Sequence, residues 1–194
     1  VIGARLQEER GLPLIKPFDN ADVIAGQGTC GLEIAQQARE AGIEQAEVLA
    51  CCGGGGLSAG IALALEADAP QMRLRTVEPE GFDDTARSLA AGEICRNTGP
   101  EAGLCDAIVT PAPGQLTFPI LNRLAGAGIV VSDDEVRAAM RAAYAHLKLV
   151  VEPGGAVALA AALFHGAALE GDTAIVTLSG GNVDPDLFAD ILRG

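Results

Sequence analysis

Short β-branched runs alternate with longer alanine-rich stretches along this chain, and that alternation limits the possible folds more than any other feature. Val23–Ala25, Glu47–Cys51, Leu74–Glu78, Ala107–Thr110 and Thr173–Leu178 read as buried strands, with Gly, Pro or Asp near their ends. Helical patterns cover Thr29–Ala41, Ser58–Ala67, Asp84–Ala91, Asp133–Leu149, Gly155–His165 and Pro185–Leu192. Ser132, with Glu135 three positions later, predicts a capping box at the head of the Asp133 stretch. Strand and helix in repeated alternation imply parallel strands joined by crossover helices. The expected fold is therefore α/β, an open twisted and mainly parallel sheet with helices on both faces. Ligands in such sheets sit where strand C-termini open into loops, so the loops carry the functional question.

The 194 residues suffice for one large or two small domains without disulfide staples. The apolar fraction of 49% contains only 3% aromatics, a mix suited to helices packed closely on a sheet. The first 22 residues differ from the rest. Val1–Gly11 resembles the end of a charged helix, and Leu12–Asn20 is a Pro-bounded extended passage. We expect residues 1–22 to be the tail of one domain and 23–194 to form the main domain.

Charge and rare residues exclude several functions. Twenty-six acidic against 13 basic residues give a net charge of −13, which disfavours contact with a phosphate backbone, so no nucleic acid is expected as partner. No apolar run reaches the length of a membrane span, and the N-terminus lacks the order of a signal peptide. The expectation is a cytoplasmic protein with no membrane partner. The five cysteines are odd in number and form no Cys-x-x-Cys pair, so neither a disulfide framework nor a thiolate zinc site is indicated. His146 and His165 read as packed or half-exposed helix residues, which leaves no histidine-based metal motif or hydrolase triad.

Three loops carry chemistry. Cys51-Cys52-Gly53-Gly54-Gly55-Gly56-Leu57-Ser58 places four glycines between a strand and a helix. Without Cβ atoms, consecutive amides can converge on one concavity, and the helix adds its positive end, which suits a phosphate monoester. A plain flexible turn is the bland alternative, but four ordered glycines cost entropy such a turn does not need. Leu178-Ser179-Gly180-Gly181-Asn182 follows the last strand and offers the Ser179 hydroxyl beside a backbone that a flat ligand could approach, although a turn serine would look the same. Glu78-Pro79-Glu80-Gly81-Phe82-Asp83-Asp84 could suit a hard divalent cation, but its spacing by itself reads first as an acidic helix start.

Pro17–Glu33, the tetraglycine loop, Glu78-Pro79, Val151–Ala156 and Leu178–Asp184 together resemble the threonine dehydratase and serine racemase branch of the fold-type II pyridoxal phosphate enzymes. The matches fall in the family's order and run from about Pro17 to the C-terminus. By that resemblance, residues 1–22 end the small domain and the remainder is the cofactor-binding large domain. The amides of Gly53, Gly54, Gly55, Gly56 and Leu57 would hold the phosphate of pyridoxal 5'-phosphate, Ser179 would meet the pyridine nitrogen, and Glu152 would lie near the ring. Glu78, the carbonyl of Phe82 and Asp84 match the position of a Mg2+ or Ca2+ ion.

The resemblance implies dehydration and deamination of L-threonine or L-serine, small-molecule amino-acid substrates, to a 2-oxo acid and ammonia. Racemisation of serine is the close alternative, and a non-catalytic phosphate-binding fragment is the remote one. A homodimer is implied as well. Such chemistry needs a Schiff-base lysine, carried in this family by a Ser-x-Lys-x-Arg motif that does not occur here. Only Lys16 and Lys148 are present, both in settings that read as structural. The chain thus reads as the C-terminal large-domain portion of such an enzyme, expected to be inactive alone.

Overall fold

The computed structural model describes residues 2–99 and 103–194. The charged segment forms α1 (Ile2–Arg10); Val1, which the predicted helix end included, lies outside the described residues. An extended passage then leads into α2 (Ala21–Glu40), β1 (Glu47–Cys51), α3 (Gly56–Asp68), β2 (Arg73–Pro79) and α4 (Asp84–Ala91). Next come α5 (Thr117–Leu124), β3 (Ile129–Val131), α6 (Asp133–Ala142), α7 (Pro153–Phe164), β4 (Ala174–Val176) and α8 (Pro185–Arg193).

The four strands form one sheet in the order β3-β2-β1-β4, and every pairing is parallel. Alternate residues of β1 serve opposite faces. Val48, Ala50 and Cys52 join a core with Ile24 and Ala35 of α2 and Ala59, Ile61 and Leu65 of α3. Leu49 and Cys51 join Val136 and Met140 of α6, Ala156–Ala158 of α7 and Ile191 of α8 in the second core. This is the expected doubly covered α/β sheet. The chain builds β1, crosses through α3 to β2 and on to β3, then returns through α6 and α7 to place β4 on the far side of β1. The strand order therefore reverses between β1 and β4, and the carboxyl ends of those two strands flank the crevice where such sheets take ligands.

Two predicted strands are replaced by other structure. Val23–Ala25 falls in the first turns of α2, because the Asn20 side chain accepts hydrogen bonds from Asp22 N (2.9 Å) and Val23 N (3.1 Å) and caps a helix there. Gly28, near that predicted strand end, instead lies against α3, where its own Cβ would come 3.3 Å from Gly60 O. A Cβ on Gly60 would sit 2.5 Å from Ile24 O and 2.6 Å from Gly28 N. Ala107–Thr110 begins in a 3-10 turn, Asp106–Ile108, whose Ile108 Cα lies 3.2 Å from where a Cβ of Gly53 would be. That stretch is a wedge under the glycine loop, not a sheet member. The third strand is Ile129–Val131, which at three residues is too short to leave a periodic signature, and α5 was likewise not anticipated. The capping box is present, with Glu135 N donating to Ser132 Oγ and Ser132 N to Glu135 Oε2 (2.7 Å). Beyond α6 the chain continues in a π turn, Ala143–Leu147, which stops at Lys148 with φ +61°.

Candidate active site

The reversal of strand order brings together the ends of β1 and β4. The loop Gly53–Gly56 leaves β1 and enters α3; Gly54, Gly55 and Gly56 are buried, and Gly53 and Leu57 half-buried. Gly55 holds φ +91°, a left-handed conformation that turns the chain into the helix. No side chain caps α3. Among the described residues none accepts a hydrogen bond from the backbone amides of Gly53 through Leu57. Five unused donors at a mostly buried helix start fit an anion, because burial without a partner would otherwise cost about 1–3 kcal/mol per group.

The loop is held from behind. Thr117, fully buried at the start of α5, donates through Oγ1 to Gly54 O at 2.6 Å and accepts from Gly114 N at 3.0 Å. Gly114 N also approaches Gly54 O at 3.2 Å. Asp19 in turn accepts from Leu116 N. The Phe18 ring lies on the other side, 2.2–2.3 Å from where a Cβ of Gly54 would be, so that glycine is required by close approach. Sequence reading missed Thr117, Phe18 and Asp19 as site elements. The Pro17–Asn20 motif was the only signal pointing to the last two.

Ser179 stands exposed at the end of β4, and its Oγ lies 3.0 Å from Cys51 Sγ, directly across the reversal point. Glu152 precedes α7 and packs beneath the same loop. Its Oε2 accepts from Asn182 N at 2.8 Å and its own amide donates to Gly180 O at 3.0 Å, while a Cβ on Gly180 would strike the carboxylate at 2.5 Å. Gly53–Leu57, Ser179 and Glu152 thus occupy one sheet edge.

Glu78, Phe82 and Asp84 lie at the end of β2, in a separate turn. Glu78 is fully buried and accepts from Thr85 N (2.8 Å) and Ala86 N (2.6 Å), closing the head of α4. Burial pushes its carboxyl up to about 8, against the pull of those amides. Asp84 Oδ1 accepts from Asn97 Nδ2 at 2.6 Å, whereas Oδ2 is buried with no partner. Burial raises Asp84 to about 6. Among the described residues no group of three or more His, Cys, Asp or Glu is placed to hold a metal ion. The two carboxylates with the orphaned Asp84 oxygen are what the turn offers.

Residues 2–181 match the PALP family, described as pyridoxal-phosphate dependent enzyme. The chain belongs to this family. It is 37% identical over 193 residues to a serine racemase of Dictyostelium discoideum, covering 97% of this chain and 58% of that protein. To an L-threonine ammonia-lyase of Geobacter sulfurreducens it is 41% identical over 179 residues, covering 92% and 43%. A crystal structure of a T.th. threonine deaminase superposes with a TM-score of 0.89 at 46% identity, covering 94% of this chain and 61% of that one. The chain thus spans roughly half the length of the curated relatives it matches. No helix among the described residues is long and apolar enough to cross a membrane.

Proposed function

We propose that this chain is the cofactor-binding large-domain portion of a cytoplasmic, homodimeric ammonia-lyase that dehydrates and deaminates L-threonine or L-serine, giving a 2-oxo acid and ammonia. The small domain would end at residue 22 and the large one run from 23 to 194. The observation that carries this reading is the row of unused amides at the head of α3, opposite Ser179 across the reversal of strand order. When bound, pyridoxal 5'-phosphate supplies an electron sink for the substrate α-carbon. The amides of Gly53, Gly54, Gly55, Gly56 and Leu57 would hold its phosphate with the aid of the α3 dipole. Ser179 Oγ would meet the pyridine nitrogen as a neutral hydroxyl, which leaves that nitrogen unprotonated and favours loss of a β-hydroxyl. Glu152 fixes the Ser179–Asn182 loop through the Asn182 amide.

Lys16 and Lys148 are both exposed, and Lys148 Nζ donates to Ala145 O at 2.7 Å. Neither stands in a Ser-x-Lys-x-Arg motif, so the isolated chain should bind the cofactor and produce no 2-oxo acid. Assaying the purified chain with pyridoxal 5'-phosphate and L-threonine or L-serine tests this. Borohydride fixation of the cofactor onto Lys16 or Lys148, with turnover, would overturn it.

Serine racemisation is the second reading, favoured by the serine racemases among the relatives. Measuring D-serine against 2-oxo acid from the protein that carries this chain separates the two. The Glu78, Phe82 and Asp84 turn would take Mg2+ or Ca2+ through oxygen ligands only, which suits a hard cation and would give Asp84 Oδ2 a partner. A rise in melting temperature with millimolar Ca2+ or Mg2+, abolished by Asp84→Asn, is the expected result.

A further inference from the structure

Cys51 is the last residue of β1 and Ser179 follows β4, so the Sγ to Oγ contact spans the crevice at its floor. The sulfur side is buried, with Cys51 8% exposed, whereas Ser179 is open to the crevice. Either atom can donate, and the direction determines what the serine offers a ligand. A serine hydroxyl has one proton and two lone pairs. If that proton points to the sulfur, Ser179 presents only lone pairs outward. If the thiol proton points to Oγ, the serine proton faces the crevice.

We propose that Cys51 is a positioning residue, its thiol donating to Ser179 Oγ so that the serine hydroxyl is turned outward as a donor to an aromatic ring nitrogen bound in the crevice. The inference rests on the cofactor reading above. A pyridine nitrogen is a far better acceptor than a thiol sulfur, so the serine proton goes to the ring and the thiol proton satisfies the oxygen behind it. Burial, and next the opposing hydrogen bond to Ser179, decide the thiol's state; burial prevails and holds Cys51 above the usual thiol range, so the proton is present at neutral pH. The neighbouring Glu152 carboxylate acts in the same direction. A cysteine here is thus neither a nucleophile nor a spare core residue.

The test uses this chain and two probes. 4'-Deoxypyridoxine phosphate carries the ring and phosphate without the aldehyde, so it needs no lysine; inorganic phosphate occupies only the α3 end. Cys51→Ala should weaken the ring probe by about three- to tenfold, the range of one hydrogen bond, and leave inorganic phosphate within twofold. Cys51→Ser, which keeps a donor, should recover part of that loss. The ring-nitrogen 15N shift of the bound probe should move toward a more weakly hydrogen-bonded pyridine in Cys51→Ala, a signature a packing defect would not produce. Circular dichroism and melting of each variant establish that it folds. Equal affinities and an unmoved 15N shift in a folded Cys51→Ala overturn the role of Cys51 while leaving the phosphate site intact. Failure of the unaltered chain to bind either probe overturns the cofactor reading, and this inference with it.

Discussion

The two edges of the sheet use their polar groups in opposite ways. At the amino edge, Glu47 of β1 and Arg75 of β2 form a buried ion pair, with Arg75 Nη1 2.9 and 3.0 Å from the two carboxylate oxygens. Arg75 also donates to Ala127 O before β3 and to Ala168 O, and Glu47 accepts from Glu170 N before β4. One pair ties all four strands, and the donors and acceptors named there are consumed internally. At the carboxyl edge, the glycine loop keeps five amides free and Ser179 stands open. Yet a cleft of about 780 Å3, lined by Glu47, Arg73, Arg123 and Glu170, opens at the amino edge. On the function proposed above, unused donors beside a helix start, and not cleft volume, single out the carboxyl edge.

The largest expected effect is at the amino edge. Arg75→Ala leaves the Glu47 carboxylate buried without its partner and should cost about 3–5 kcal/mol of stability by urea unfolding. Replacing both residues with leucine should recover part of that loss, because the uncompensated charge goes with the pair. Any such variant that still folds should bind inorganic phosphate unchanged. Coupled loss of phosphate affinity would show that the two edges are not independent.

Gly54→Val acts at the other edge. Its side chain would meet the Phe18 ring, already within 2.3 Å of the Cβ position. Displacing the loop should cost about 1–3 kcal/mol of phosphate or pyridoxal 5'-phosphate binding, roughly five- to 150-fold in Kd by calorimetry. Unchanged affinity would remove the glycine loop from the site. Thr117→Val should cost somewhat less, about 1–2 kcal/mol of stability with weaker phosphate binding, since Gly54 O and Gly114 N both lose a buried partner. Thr117→Ser keeps the hydroxyl and should restore both.

These contrasts explain how far the sequence was legible. Three of the five predicted strand runs, the Ser132–Glu135 box and the strand-to-helix glycine loop are local patterns, and each is found where local chemistry puts it. Glu47 with Arg75 and Thr117 with Gly54 are separated by 28 and 63 positions, and only strand register or loop packing brings them together. The same holds for Cys51 and Ser179, 128 positions apart. The misassigned Val23–Ala25 is instructive in a different way. Nearby Gly28 lies against Gly60 of α3, a demand from a distant element that imitates a strand end. Contacts between distant segments decided what propensity could not.

The smallest effect compares two helix starts on the same carboxyl edge. Where α3 is left open, α6 is closed by its own residues: Glu135 accepts from Ser132 N and from Ser132 Oγ, and its other oxygen lies 3.1 Å from His165 Nε2 at the end of α7. Partial burial pushes the Glu135 carboxyl up, but the Ser132 and His165 hydrogen bonds outweigh it and hold the group below its ordinary value of 4.5. A carboxyl lowered on folding contributes stability that is complete above the unfolded value and fades as pH falls below about 4.5 toward the folded one. Because the pair is partly solvated, the contribution is small, from a few tenths to about 1 kcal/mol. Glu135→Gln should therefore lower the neutral plateau by that small amount and flatten the acid limb, the two proteins converging as pH falls below the folded value. Added phosphate at neutral pH should raise the melting temperature of the unaltered chain and of Glu135→Gln equally, since it acts on α3. If instead Glu135→Gln abolished the phosphate response, the anion would be binding at α6, and the division between an open and a closed helix start would fail.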